Sequence, residues 1–252
     1  MTPSRRRFLH WLAGGAALAA QPAFAGETRI DKLIVEAKAH GDVSERIAFI
    51  SRALLGSTYR GYTLIGGPKA PEKFVVRDDA FDCVTFCETV LAAAIAREPG
   101  DFDTVLRTIR YHDGVVAWHE RNHYYFEWSQ HNVENKVCRA IVMDGAVEIQ
   151  KTVDSEKGLG RRHFVMQVIP REVFLDSRQL LKSGDLVGFV TQRPNLDYFH
   201  IGFVAFDDGG EFLLRHAARS RGRVVDDRME RFVALNRVRY VTLLRPQEPA
   251  VS

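Results

Sequence analysis

The 252-residue sequence predicts an α+β domain in which helices come first and antiparallel strands follow. Three observations carry this expectation. Apolar residues in the first half recur at three- and four-residue spacing, the period of a helix with one buried face. The second half instead holds short apolar, β-branched and aromatic runs separated by Gly, Asp or Pro turns. The strand–helix alternation of a parallel sheet is missing.

In chain order, Ile30 to His40 and Val43 to Leu55 read as two short amphipathic helices, stopped at Gly41 and Gly56. The Gly- and Pro-containing stretch from Ser57 to Ala80 reads as loop and delivers the chain to an apolar helix running from Cys83 to about Arg97. After Glu98-Pro99-Gly100 a further helix is expected from Asp101 to His112, with Asp101 as its N-cap and Asp113-Gly114 as its end. The segment Trp118 to Trp128 is dense in aromatics and histidines and has no clear period. Strands are expected at Phe164–Ile169, Leu186–Thr191, Phe199–Phe206, Phe212–His216 and Val238–Leu244, with Asp208-Gly209-Gly210 a hairpin turn between the third and fourth.

The N-terminus has a different purpose. Ser4-Arg5-Arg6-Arg7-Phe8-Leu9, the apolar run from Trp11 to Ala20 and the small-x-small Ala23-Phe24-Ala25 form the three regions of an export signal, and the first hexapeptide has a twin-arginine spelling. Residues 1–25 are therefore expected to be cleaved, leaving 26–252 as one domain outside the cytoplasm, in the periplasm. The apolar run is too short for a bilayer span. Removing residues 1–25 lowers Lys+Arg from 35 to 32, equal to Asp+Glu at 32, so the mature chain is formally neutral and gives no case for nucleic acid as a partner.

Chemistry is concentrated in a few positions. Cys83 stands at a helix start, where the dipole and free N–H groups are expected to lower the thiol pKa and make a thiolate nucleophile near neutral pH. Of the three cysteines it is the expected free thiol, with Cys87 and Cys138 either paired or inert and buried. Cysteine hydrolysis of an amide also needs an imidazole that takes and returns a proton, and a third group to orient it. His200 and His216 fall on the two strands of the expected hairpin, which would let His216 bond the ring of His200. His112, His119, His123 and His131 repeat no firm metal-ligand spacing, and no metal or cofactor is expected.

Asp82-Cys83, His200-Ile201-Gly202 and His216-Ala217, in that order, resemble the motifs of the NlpC-type papain-like cell-wall hydrolases. The longer spellings Phe81-Asp82-Cys83-Val84-Thr85-Phe86, Arg121-Asn122-His123-Tyr124, Ser183-Gly184-Asp185 and Leu196-Asp197-Tyr198-Phe199-His200 are similar to the N-acetylmuramoyl-L-alanine amidase-like branch of that superfamily. The likeness runs from about Leu54 to Arg245. It implies a papain-like cysteine hydrolase fold, with the nucleophile helix packed on an antiparallel sheet.

Residue by residue, the resemblance implies Cys83 as nucleophile, His200 as general base and then acid, and His216 as orienter. Tyr59 takes the place of a tyrosine bordering the oxyanion site, although this chain has Tyr59-Arg60-Gly61-Tyr62 where many relatives have Tyr-x-x-Gly-Gly. Arg121 and His123 are candidate ligand contacts in an aromatic cleft; Asp82 and Asp197 read as structural. The implied activity is cleavage of the bond between the lactyl group of N-acetylmuramic acid and L-alanine, in peptidoglycan or muropeptide fragments. Two alternatives stand beside it: a γ-D-glutamyl-diamino acid endopeptidase of the same superfamily, and a catalytically idle cell-wall binding module.

Overall fold

The computed structural model describes residues 27–154, 156 and 158–248. The expected export signal lies outside the described residues. Helices α1 (Arg29–Ala37) and α2 (Val43–Ala53) open the domain; Thr28 and Asp42 cap them by accepting from the N–H groups of Asp31 and Glu45. Both end slightly before the expected residues.

The stretch expected to be loop carries four short strands, β1 (Thr58–Tyr59), β2 (Ile65–Gly67), β3 (Ala70–Lys73) and β4 (Ala80–Phe81). Strand β1 runs parallel to β4 and antiparallel to a later strand, so partners distant in sequence impose what local propensity does not. Helix α3 (Cys83–Ile95) begins where expected and is buried from Thr85 to Ala94, an apolar helix enclosed on all sides.

Helix α4 (Phe102–Arg110) corrects one detail. Asp101 makes no cap bond to α4; its carboxylate accepts from the N–H groups of Arg97 and Glu98, tightening the preceding turn. Helix α5 (Tyr125–Glu134) emerges from the stretch without a period. Its first turn is closed by Asp197, whose Oδ2 accepts from Phe126 N–H at 2.8 Å across 71 residues.

Next come β5 (Cys138–Ile141), β6 (Val147–Val153), β7 (Arg162–Pro170), α6 (Arg171–Asp176), β8 (Leu186–Val190), β9 (Tyr198–Phe206), β10 (Phe212–Ala218), β11 (Arg223–Arg228), α7 (Met229–Leu235) and β12 (Tyr240–Pro246). The five expected strands correspond to β7, β8, β9, β10 and β12, while β5, β6, β11, α6 and α7 were not foreseen. The hairpin turn is as expected: Gly210 takes φ +76° and donates its N–H to the Asp207 carbonyl.

Ten strands make one sheet in the order β4-β1-β11-β10-β9-β8-β12-β7-β6, with β5 added against β12, and β2-β3 stand apart as a hairpin. This is a mixed α+β fold. Alternation along the strands feeds two cores. Leu186, Val190, Ile201, Phe203 and Ala217 join helices α1 to α5 in the larger one, whereas Val187, Phe189, Val204, Leu214 and Phe212 join α6 and α7 in the smaller one. Among the described residues no helix is long and apolar enough to cross a membrane.

Candidate active site

Cys83 is the first residue of α3 because Asp82 is its N-cap. Asp82 Oδ1 accepts from Thr85 N–H at 2.8 Å, and Thr85 Oγ1 returns the bond by accepting from Asp82 N–H at 2.9 Å. Phe86 N–H is taken by the Asp82 carbonyl. Capping thus uses the third and fourth amides of the helix, and those of Cys83 and Val84 are left to favour negative charge at the Cys83 sulfur.

A third N–H comes from the sheet. Strands β9 and β10 pair from Phe212↔Phe206 to Arg215↔Phe203, but β10 continues along β11 as far as Ala218↔Arg223. Beyond Phe203 the strands part. Val204 exchanges bonds with the segment entering β8, donating to Asp185 O at 2.7 Å and accepting from Gly184 N–H at 2.9 Å. Antiparallel alternation therefore turns the polar groups of Ile201 the other way, into the split, where its backbone reaches the Cys83 thiol.

His200, immediately before Ile201, points to the face of the smaller core with Phe189 and Phe232. Its Nε2 lies 2.6 Å from His216 Nδ1, with the rings edge to face at 4.7 Å. His216 Nε2 in turn lies 3.1 Å from Asp227 Oδ2. On β10 and β11 the register pairs Leu214 with Asp227 and His216 with Val225, so His216 and Asp227 are diagonal neighbours on one face. Gly202 makes room: a Cβ there would lie 3.0 Å from His216 Cβ and 2.9 Å from Arg215 O.

The electrostatics correct one expectation. Burial, followed by the Asp82 carboxylate, pushes the Cys83 thiol up to about 12, and the three N–H groups only partly oppose this. Burial, then the neighbouring His216, pushes His200 down to about 3. At rest Cys83 is a thiol and His200 a neutral imidazole, not a preformed ion pair: at the half-buried helix start, poor solvation and the Asp82 carboxylate together outweigh what the N–H groups give back.

The N-acetylmuramoyl-L-alanine amidase-like (AmiA-like) family model matches residues 49–239, which span this whole site. The chain belongs to that family. No curated protein matches the sequence. Among solved structures, a Legionella pneumophila protein of the DUF1460 family model is 20% identical with a TM-score of 0.76, covering 88% of this chain and 95% of its own. An N-acetylmuramoyl-L-alanine amidase from Bacteroides uniformis is 21% identical with a TM-score of 0.71, covering 82% and 100%. A Bacteroides fragilis protein described as a candidate xylanase is 22% identical with a TM-score of 0.67, covering 77% and 98%. At these identities the likeness is one of fold, and one fold can carry several chemistries.

Within this amidase-like frame, Tyr59 stands close to Cys83, because β1–β4 pairing sets Tyr59 against Phe81 just before Asp82. Its phenol is raised by burial first and then by Cys83 and Asp82. Arg121 and His123 are engaged elsewhere. Arg121 pairs with the buried Glu72 at 3.0 Å, and Glu72 also accepts from Tyr111 Oη; His123 Nε2 lies 2.7 Å from the Trp118 carbonyl oxygen. Among the described contacts neither touches Cys83, His200 or His216.

Asp82 and Asp197 act as helix caps, in keeping with a structural reading. Cys83, Cys87 and Cys138 are all free thiols, and burial raises the last two. His112 and His131 meet edge to face at 4.7 Å, and His131 bonds the Thr108 carbonyl. Among the described residues no three potential ligands converge on a metal position. Asp227 is the site residue that sequence reasoning missed; its one available signal was an Asp-Asp pair in a charged stretch that did not read as a strand.

Proposed function

We propose that this amidase-like protein is a papain-like cysteine hydrolase that cuts the N-acetylmuramoyl-L-alanine amide, on muropeptide fragments outside the cytoplasm after export directed by residues 1–25. The observation that carries the reading is the meeting of the Cys83 thiol with the backbone of Ile201, next to the His200–His216 pair, within a chain of this family.

In this mechanism Cys83 Sγ attacks the lactyl carbonyl carbon as its proton passes to His200, so that thiolate forms only as the C–S bond forms. Backbone N–H groups at the helix start receive the oxyanion. Collapse breaks the C–N bond, and His200 returns the proton to the departing L-alanine amine. Water then attacks the thioester, with His200 taking its proton; the C–S bond breaks, the sulfur is reprotonated, and the lactyl carboxylic acid leaves. His216 orients His200 and Tyr59 borders the oxyanion.

Mass spectrometry of a defined muropeptide digest tests the bond assignment. The expected products are a sugar with a free lactyl carboxylate and a stem peptide with a free L-alanine amine. A free L-alanyl-γ-D-glutamyl-diamino acid peptide should stay intact, because it lacks the acyl group that Cys83 receives. Release of the diamino acid from that peptide would assign the endopeptidase activity instead, and binding without any product would assign a wall-binding module.

A further inference from the structure

Resting on the cysteine-hydrolase reading, we infer that Asp227 is a positioning residue that selects, through His216, which ring nitrogen of His200 acts as the base. Three strands supply one residue each to a continuous line of bonds: His200 from β9, His216 from β10 and Asp227 from β11. An ionised carboxylate only accepts hydrogen bonds, so the proton at the 3.1 Å contact is on His216 Nε2. A neutral imidazole has a single N–H, which leaves His216 Nδ1 as a lone pair.

That lone pair accepts from His200 Nε2 across 2.6 Å, so the His200 proton is on Nε2 and its Nδ1 is bare. Nδ1 is thereby the nitrogen free to take the thiol proton. Were the order reversed, His216 Nδ1–H would donate to His200 Nε2 and His200 would carry its proton on Nδ1, leaving no base for Cys83. The direction of the line is set at its far end, and Asp227 is the only one of the three that cannot donate when ionised.

The surroundings keep this order. Burial lowers the pKa of both rings, which holds them neutral. Arg221, from the turn after β10, lies 3.5 Å from Asp227 Oδ1, the oxygen His216 does not use, and holds the carboxylate in place. The Phe232 ring of α7 also faces His216, while Asp226 of β11 acts on it only from the opposite face of the sheet, where it is paired with Arg215 of β10. A cleft of about 270 Å³ is lined by His216, Asp227, Arg221 and Phe232, so the carboxylate end of the line is open to solvent.

The test is ring-nitrogen NMR of the full chain with ¹⁵N-labelled histidine at neutral pH, which needs no turnover and is read whether or not the bond assignment survives. The expected result is the Nε2–H tautomer for both His200 and His216. Asp227→Asn, which has nearly the same shape but can donate, should give a mixture of tautomers. It should lower kcat by about tenfold to a hundredfold, less than the ~10⁴ of a carboxylate bonded directly to the base. KM should stay within about twofold, and the acid limb of kcat/KM should move to lower pH because the imidazolium loses a facing charge. Asp227→Glu should restore part of the rate. An Nδ1–H tautomer on wild-type His200, or an Asp227→Asn protein with unchanged tautomers and pH profile, overturns the inference.

Discussion

At the residue scale, the protein holds both the proposed nucleophile and the proposed base uncharged. A helix start alone would favour thiolate, but Cys83 is crowded by protein and faces the Asp82 carboxylate, so its thiol lies near 12, while the His200 imidazole lies near 3. The free enzyme therefore carries little thiolate–imidazolium pair across the neutral range. Alkylation of Cys83 by iodoacetamide is expected to accelerate through the alkaline range without a plateau reaching down to acid pH. A rate already flat from about pH 4 upward would show a preformed ion pair and contradict this balance. Cys83→Ala should fold and bind muropeptide but release no product, and comparable turnover by the folded variant would remove the cysteine mechanism altogether.

At the scale of elements, the sequence was legible where structure is local and obscure where it is not. The start of α3 could be read because Asp82, Cys83 and the apolar run are contiguous. Strands β7 to β10 and β12 could be read because their buried residues are apolar. Helix α5 was hidden because its cap, Asp197, arrives from the loop before β9, and β11 because Arg223-Val224-Val225-Asp226-Asp227-Arg228 has the composition of a charged surface loop. The same obscurity concealed Asp227, while His200 and His216 stood out on apolar strands. The motif glycine, Gly202, has a structural reason: the smallest residue lets His216 lean across β9 toward His200. Gly202→Ala would bring Cβ to 2.7 Å from Leu214 Cδ1 and 2.9 Å from the Arg215 carbonyl, the second a backbone obstacle that cannot rotate away. The expected cost is about 1–3 kcal/mol of stability by urea unfolding, with a proportionally greater loss of kcat because the His200–His216 contact opens. Full activity in Gly202→Ala would mean that this close approach is unimportant.

At the scale of the whole molecule, the buried Glu88–Arg110 pair binds the helical layer together behind the site. Arg110 of α4 donates from Nε to Glu88 Oε2 of α3 at 2.8 Å and from Nη1 to the Val75 carbonyl at 2.8 Å, so one guanidinium joins two helices and the segment leading to β4. The two side chains are only 2% and 3% exposed. Removing one member leaves the other charge stranded, at a cost of about 3–5 kcal/mol, whereas replacing both by apolar groups of similar size is close to neutral. Arg110→Met should therefore be strongly destabilised in urea, and Glu88→Leu/Arg110→Met should recover most of the loss. The deficit also has a pH sign. Burial raises Glu88 and Arg110 opposes that rise, so removing the arginine raises Glu88 further and favours its neutral form. A carboxyl whose folded pKa is raised contributes stability below its unfolded value, about 4.3, and loses it as pH rises. The gap between wild type and Arg110→Met should be small near pH 4 and widen toward pH 7. His200 acts oppositely: its depressed pKa removes stability as pH falls from about 6.5 toward 3, but it does so in both proteins and cancels in the difference. A gap that stays constant with pH would show that Arg110 serves as packing alone, not as the counter-charge that allows a buried carboxylate on α3.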